Sequence, residues 1–267
     1  MGGHVRAMGI SLLFAAGKRP DSDAIAEFAS SSPEVSLTHD PAAVPRLRLV
    51  GSDRTGHPDP GENAEGQNWV ELLREGLTFD LVGLAPGEST WIPEIEHCFD
   101  FPDRALVQSC EALQLLPGPH LAGGERSLPV VRGLMALARD LAHHFEHLGG
   151  LVWPHSHSVI GKRFFESTIT AWLEGGAFPA LGLTAFTQTA DGALQSVGLN
   201  YFIDQELRIE PPLANNKVAA TRLAIRLINQ LVLMGGIADE EHVMAPDGSG
   251  LILRLSENRR FVRVWNE

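Results

Sequence analysis

Three amphipathic runs in the second half of the chain each stop at a paired glycine, and this punctuation limits what the sequence can fold into. Val131, Leu134, Ala138, Leu141, Phe145 and Leu148 recur at helical spacing behind Ser127-Leu128-Pro129 and run into Gly149-Gly150. Phe164, Phe165, Ile169, Trp172 and Leu173 mark a helix over 160–173 that ends at Gly175-Gly176. Ala220, Leu223, Leu227, Leu231 and Met234 follow a cap at Asn215 or Asn216 and end at Gly235-Gly236. Strands fill the intervals: Leu151 to Trp153, Leu181 to Thr189 and Leu194 to Ile209. Asp191-Gly192 joins the last two as a hairpin, and Leu251–Leu255 with Arg260–Trp265 predicts a closing hairpin.

The first third repeats this order. Ile10 to Ala16 is a continuous apolar run, as expected of a strand covered on both faces. Asp21 or Ser22 caps a helix carrying Ile25, Phe28 and Ala29, and the Ser30–Pro33 stretch ends it. Val35–Thr38 and Arg46–Val50 read as strands, 51–67 as an exposed loop, Asn68 as the cap of a short helix holding Trp69, Leu72 and Leu73, and Phe79–Leu84 as a strand. Residues 85–124 are weakly patterned, with one strand expected over Ala105–Leu113. Both parts thus run strand, helix, strand, strand, helix, strand. The expected fold is α+β: two packed ferredoxin-like (βαββαβ) halves with mainly antiparallel sheets, over 1–90 and 128–267, joined by an irregular region over 91–127.

Composition excludes several functions. Among 267 residues, 21 Lys+Arg stand against 33 Asp+Glu, so 21 − 33 gives −12 before any histidine is charged. That balance argues against nucleic acid, whose phosphates are held by clustered Lys and Arg. No apolar run reaches the roughly 18–20 residues that cross a bilayer. Met8 to Ala16 loosely resembles a signal peptide, but Gly17-Lys18-Arg19 follows at once, so the run is read as a buried strand, with Met8 an alternative start to Met1. Cys98 and Cys110 fit neither a disulfide framework nor a thiolate metal site. Two reduced thiols in a cytoplasmic protein is the expectation, with a single bridge as the alternative.

Leu148-Gly149-Gly150-Leu151-Val152-Trp153, then Gly198-Leu199-Asn200-Tyr201-Phe202 and Glu206-Leu207-Arg208-Ile209, form a recognisable pattern over roughly 128–255. It resembles a family of bacterial domains of unknown function, in which a small-residue turn leads to a Gly-Leu-x-x-Phe…Glu-Leu-x-Ile strand. The resemblance implies an α+β fold and a cytoplasmic setting, and carries no activity with it.

The densest chemistry is imidazole. Asp140, His143, His144 and His147 stand at i, i+3, i+4 and i+7 on the long helix, and His155 and His157 follow the next strand. Asp140, His143, His147, His155 and His157 are candidate ligands for a divalent metal such as Zn²⁺, although Glu146 is misplaced for a His-Glu-x-x-His motif. The plainer reading is a solvated helix face and a polar loop. Nucleophile patterns fail: Gly248-Ser249-Gly250 reads as a turn, Ser167 lies inside a helix, and Cys98 and its neighbour His97 point to opposite faces of a strand. Gly161-Lys162-Arg163 lacks the Ser or Thr of a phosphate loop. Glu94, Glu96, His97, Asp100 and Asp103 are read as an acidic loop between Pro93 and Pro102. Arg259, Arg260 and Arg263 are read as hairpin surface.

The expectation is therefore a non-catalytic cytoplasmic binding or assembly module without cofactor, taking a protein partner or its own copy on an uncovered sheet face. The alternative is a metal-dependent hydrolase using the histidines.

Overall fold

The computed structural model of the chain describes residues 9–41, 68–245 and 247–267. The strand expected at Arg46–Val50 and the loop over 51–67 lie outside these. In chain order the first elements are β1 (Ile10–Ala15), α1 (Ser22–Ser31), β2 (Val35–His39), β3 (Asn68–Arg74), β4 (Leu77–Leu84), β5 (His97–Phe99) and β6 (Cys110–Pro117). Then come α2 (Leu128–His144), β7 (Leu148–Trp153), β8 (Ser158–Gly161), α3 (Lys162–Leu173), the single turn α4 (Ala180–Leu183), β9 (Ala185–Gln188) and β10 (Leu194–Val197). The turn α5 (Asn200–Ile203), β11 (Glu206–Ile209), α6 (Lys217–Met234), β12 (Glu241–Met244), β13 (Gly250–Leu255) and β14 (Phe261–Asn266) complete the chain.

The fold is α+β, built on two mainly antiparallel sheets. The first has eight strands in the order β2-β3-β4-β6-β1-β7-β8-β5, the second six in the order β12-β13-β14-β11-β10-β9. Among the described strands, β5–β8 and β11–β14 pair in parallel and the other pairs are antiparallel. This topology corrects the expected pair of ferredoxin-like halves. β7 and β8, from beyond residue 127, complete the first sheet, so the strands do not sort at residues 90 and 127. The physical reason is β1: buried on both faces, it needs a partner along each edge, and takes β6 on one side and β7 on the other.

One apolar core runs through both sheets. Ile10, Leu12 and Phe14 of β1 point toward the side packed by α1, α2 and α3, as do Phe79 and Leu81 of β4 and Leu151 and Trp153 of β7. Leu13, Ala112, Val152 and Val159 point the other way, under Ile92, Ile95, Phe101 and Val107. The second sheet contributes Leu207, Ile209, Leu251, Leu253, Val262 and Val264 to the main core, under Leu227, Ile228 and Leu231 of α6. Trp153, Trp172, Phe178, Tyr201 and Phe202 join the two sheets through edge-on contacts at 4.8–5.6 Å between ring centroids.

Five local expectations are corrected. The strand expected over Leu181–Thr189 is the turn α4 followed by β9, and the one over Leu194–Ile209 is broken by the turn α5 into β10 and β11. Asn68 opens a strand, not a helix. Val70, Leu72 and Arg74 are buried while Trp69, Glu71 and Leu73 are half-buried, a period of two. Glu75 and Gly76 both take positive φ (49° and 79°) and close a two-residue hairpin onto β4. The strand expected over 105–113 starts late: Asp103 caps a 3-10 turn over Arg104–Ser109, and β6 begins at Cys110. Helix α2 ends at His144, because Phe145 turns back onto Phe14 and Phe28 and residues 148–152 pair with β1.

Cys98 on β5 and Cys110 on β6 have β1, β7 and β8 between them. Four strand steps at about 4.8 Å separate their strands by roughly 19 Å, and the register sets Cys98 level with Gln114, not Cys110, so the two thiols lie far outside disulfide reach. On the same face of the first sheet, Asp80 stands directly opposite Glu71. Burial, then the Glu71 charge, pushes the Asp80 carboxyl from 3.8 up to about 6, against an opposing pull from His120 and His39. The folded state therefore holds this proton more tightly than the unfolded chain. Its contribution to stability is complete below pH 3.8 and is lost as pH rises through about 6. Asp80→Asn is expected to raise stability at pH 7 by about 1–2 kcal/mol, a full-burial value of about 3 kcal/mol discounted for partial exposure. It should also flatten the decline between pH 4 and 6, read from urea midpoints across that range.

Candidate functional site

The predicted histidines do not form one site. Asp140, on the last turns of α2, is occupied by arginine on both oxygens: Oδ1 accepts from Arg139 Nε (3.0 Å) and Nη2 (2.7 Å), and Oδ2 accepts from Arg74 Nη1. Arg74 is only 4% exposed and also pairs with Glu34 at 2.5 Å. His143 projects into solvent, with Nδ1 3.7 Å from Glu166. Asp140 and His143 do share a groove of about 1060 Å³ between α1, α2 and α3, together with His144, Arg139, Arg163 and Glu166. His147 lies beyond the helix end, exposed, so it leaves the expected stripe. His155, in the turn after β7, stacks on Tyr201 at 3.7 Å between centroids and meets Trp153 edge-on at 4.7 Å. His157 takes a left-handed backbone (φ 51°), and its carbonyl accepts from Glu96 and His97 at 2.9 and 3.0 Å. Among the described residues, no three His, Cys, Asp or Glu side chains converge as a cation site.

The other candidates resolve into structure. Ser249 donates its backbone N–H (3.0 Å) and hydroxyl (2.7 Å) to Asp247 in a turn. Cys98 donates its thiol to the Phe101 carbonyl. Asp103 accepts from Ala105 at the start of the 3-10 turn. Burial holds the His97 imidazole below its ordinary pKa.

The Gly198–Phe202 and Glu206 residues build a buried carboxylate knot. Glu206 accepts from the backbone N–H groups of Gly198 (2.8 Å), Leu199 (3.3 Å) and Asn200 (3.2 Å) and from the Ser196 hydroxyl. Burial pushes its carboxyl above the ordinary range, against the opposing pull of these donors. Gly198 has φ 92°, and a side chain there would meet the His155 carbonyl at 2.8 Å. Arg126 reaches the same turn, donating to the carbonyls of Tyr201 and Asn200 and pairing with Asp204. This pattern positions the aromatic joint between the sheets; no group in it is arranged as a nucleophile with a base.

A surface that sequence reading missed lies on the other side of the second sheet. In β13 and β14, Leu251, Leu253, Val262 and Val264 are buried, so Ile252, Arg254, Arg263 and Trp265 face outward. Register then aligns Arg254 with Arg263, Arg263 with Arg208, Arg208 with Gln195, and Gln195 with Thr187. Three arginines thus stand side by side on three neighbouring strands. Such like-charge neighbours are unfavourable without counter-ions. Glu210 supplies the main one: its side chain is 6% exposed, and a single oxygen accepts from Arg208 Nε (2.8 Å) and Arg263 Nε (2.5 Å). Asp191 pairs with Arg208 and Glu240 with Arg254. The guanidinium carbons of Arg263 and Arg254 lie 4.8 and 6.0 Å from the centre of the Trp265 ring. Beside this row, Gln195, Arg208, Ser256, Glu257, Asn258, Phe261 and Arg263 line a pocket of about 470 Å³. Arg254 and Arg263 were legible as one face from the hairpin alternation. Arg208 was not, because a parallel pairing with a strand more than 50 residues away brings it in.

Comparison with known proteins returns no match: no family model, no curated protein and no solved structure is similar to this chain. Replacing the Glu206 acceptor is expected to be costly. Glu206→Gln turns one oxygen into a donor facing backbone N–H groups and should destabilise by about 1–3 kcal/mol, read from chemical denaturation.

Proposed function

We propose that this chain is a non-catalytic binding module that takes a protein partner, in the first instance a second copy of itself, on the open face of the six-stranded sheet. The observation carrying this reading is the Arg254–Arg263–Arg208 row flanked by Trp265. Such a face combines stacking area with guanidinium donors, the residue chemistry that concentrates binding energy at protein interfaces. Its charges are balanced by Glu210, Asp191 and Glu240, so it offers directional N–H groups more than net positive potential. A chain carrying −12 overall presents many carboxylates that can accept from those groups. A cytoplasmic setting belongs to the same proposal and is supported by the wide separation of the two thiols.

The metal-dependent hydrolase reading draws support from a different place than the α2 stripe. His97 Nε2 and His157 Nδ1 are both buried without a hydrogen-bond partner among the described residues, on backbone segments bonded to each other. Neutral imidazole nitrogens of this kind are ordinary ligands for Zn²⁺.

Two measurements separate the readings. Sedimentation velocity should show concentration-dependent self-association, weakened at least tenfold by Trp265→Ala with Arg254→Glu while the melting temperature holds within a few degrees. A monomer at every concentration removes the self-association. Metal analysis returning one equivalent of zinc, lost in the His97→Ala, His157→Ala double variant, would favour the hydrolase.

A further inference from the structure

The pocket beside the arginine row has an imbalance that points to its ligand. Arg263 uses Nε on Glu210 and stacks on Trp265, which leaves both of its terminal nitrogens without a hydrogen-bond partner among the described residues. Arg208 is held on the other side of the same Glu210 oxygen, with its own outer nitrogens turned to Asp191 and Thr189. Asn258 spends Oδ1 on the Ser256 hydroxyl and the Arg260 N–H, so its amide N–H₂ remains over. The Gln195 side chain has no hydrogen bond of its own among the described residues. Phe261, half-buried, adds an aromatic wall. The lining is rich in unspent planar donors, and its one anionic side chain without a hydrogen bond among the described residues is Glu257.

We infer that this pocket binds a carboxylate attached to an apolar or aromatic body. The carboxylate sits on the free edge of Arg263 and the amide of Asn258, and the body packs against Phe261. A guanidinium edge matches the two oxygens of a planar carboxylate with parallel hydrogen bonds, and Glu210 locks the fork in place before any ligand arrives. Volume agrees with a small acid or one acidic side chain and its neighbours. The inference rests on the proposed binding face for its location. The same carboxylate chemistry has two sources, a free organic acid or an Asp or Glu of a second copy, and the test separates them.

Dilute protein is titrated with benzoate by heteronuclear NMR, with benzamide as the neutral isostere. Saturable shifts at Gln195, Asn258 and Phe261 are expected with benzoate, and at least tenfold weaker ones with benzamide. Arg263→Gln should weaken benzoate binding at least tenfold. Glu257→Gln should tighten it several-fold by removing the one repelling charge. Asn258→Asp keeps the turn's acceptor oxygen and leaves Glu210 untouched, so it guards against a folding defect in the arginine variant. It should abolish binding by presenting a like charge. Equal response to benzamide, or no tightening in Glu257→Gln, overturns the inference. If benzoate also disperses the self-associated protein in sedimentation, the source is a second copy's side chain. If it binds without dispersing it, the source is a free acid. If benzoate binds to a protein that never self-associates, the pocket stands and the proposed self-association falls.

Discussion

Strand β1 is the constraint around which the molecule is arranged. Its six residues are apolar or small, the first five are buried, so that both faces are covered, and it pairs along both edges, with residues 110–115 on one side and 148–152 on the other. A buried backbone N–H or C=O without a partner is costly, so both neighbours must be recruited from far along the chain despite the closure entropy. Once β6 and β7 flank β1, the helix α2 that connects them has to lie across one face of the sheet. Its apolar stripe, with Val131, Leu134 and Leu141 buried, then covers Phe79, Leu113 and Leu151. β8 and α3 follow by the same logic, extending the sheet and packing beside α2.

Buried charge is handled in one manner throughout. Glu206 is surrounded by backbone donors, Glu210 by two arginines, and Arg74 by Asp140 and Glu34. In each case the cost of removing an ion from water is offset by directed partners. The functional consequence differs by place. At Glu206 every donor is consumed, and the outcome is a rigid corner. At Glu210 Arg208 spends its remaining nitrogens on Asp191 and Thr189, whereas Arg263 spends only Nε, so the same neutralisation leaves one fixed donor edge, that of Arg263.

Elements with local signals were legible. The Asp21 and Asn216 caps, the end of α6 at Gly235, the Asp191-Gly192 hairpin and the closing hairpin all rest on residues within a few positions of each other. The misreadings occurred where distant partners decided. The Trp69–Leu73 stretch satisfies helical and strand spacing alike, and pairing with β2 and β4 selected the strand. β5 and β12 are short and weakly apolar, and exist because β8 and β13 offer them an edge. The histidine stripe failed for a related reason: α2 was expected to continue to Leu148, but residues 148–152 were claimed by β1, which carried His147 off the helix and His155 onto Tyr201.

What the amino-acid order determined by itself was the inventory: an α+β composition, most helices and hairpins, and which side of the β13–β14 hairpin is greasy. Alternation and capping act over a few residues, so they survive without a third dimension. Only the tertiary structure decided how those pieces share sheets, and so which polar groups meet. Arg208 reaches Arg263 through a parallel register, and Asp140 is silenced by an arginine 66 residues away. Contacts of that range carry no periodic trace in the chain, because their partners are chosen by edge hydrogen bonding and core shape.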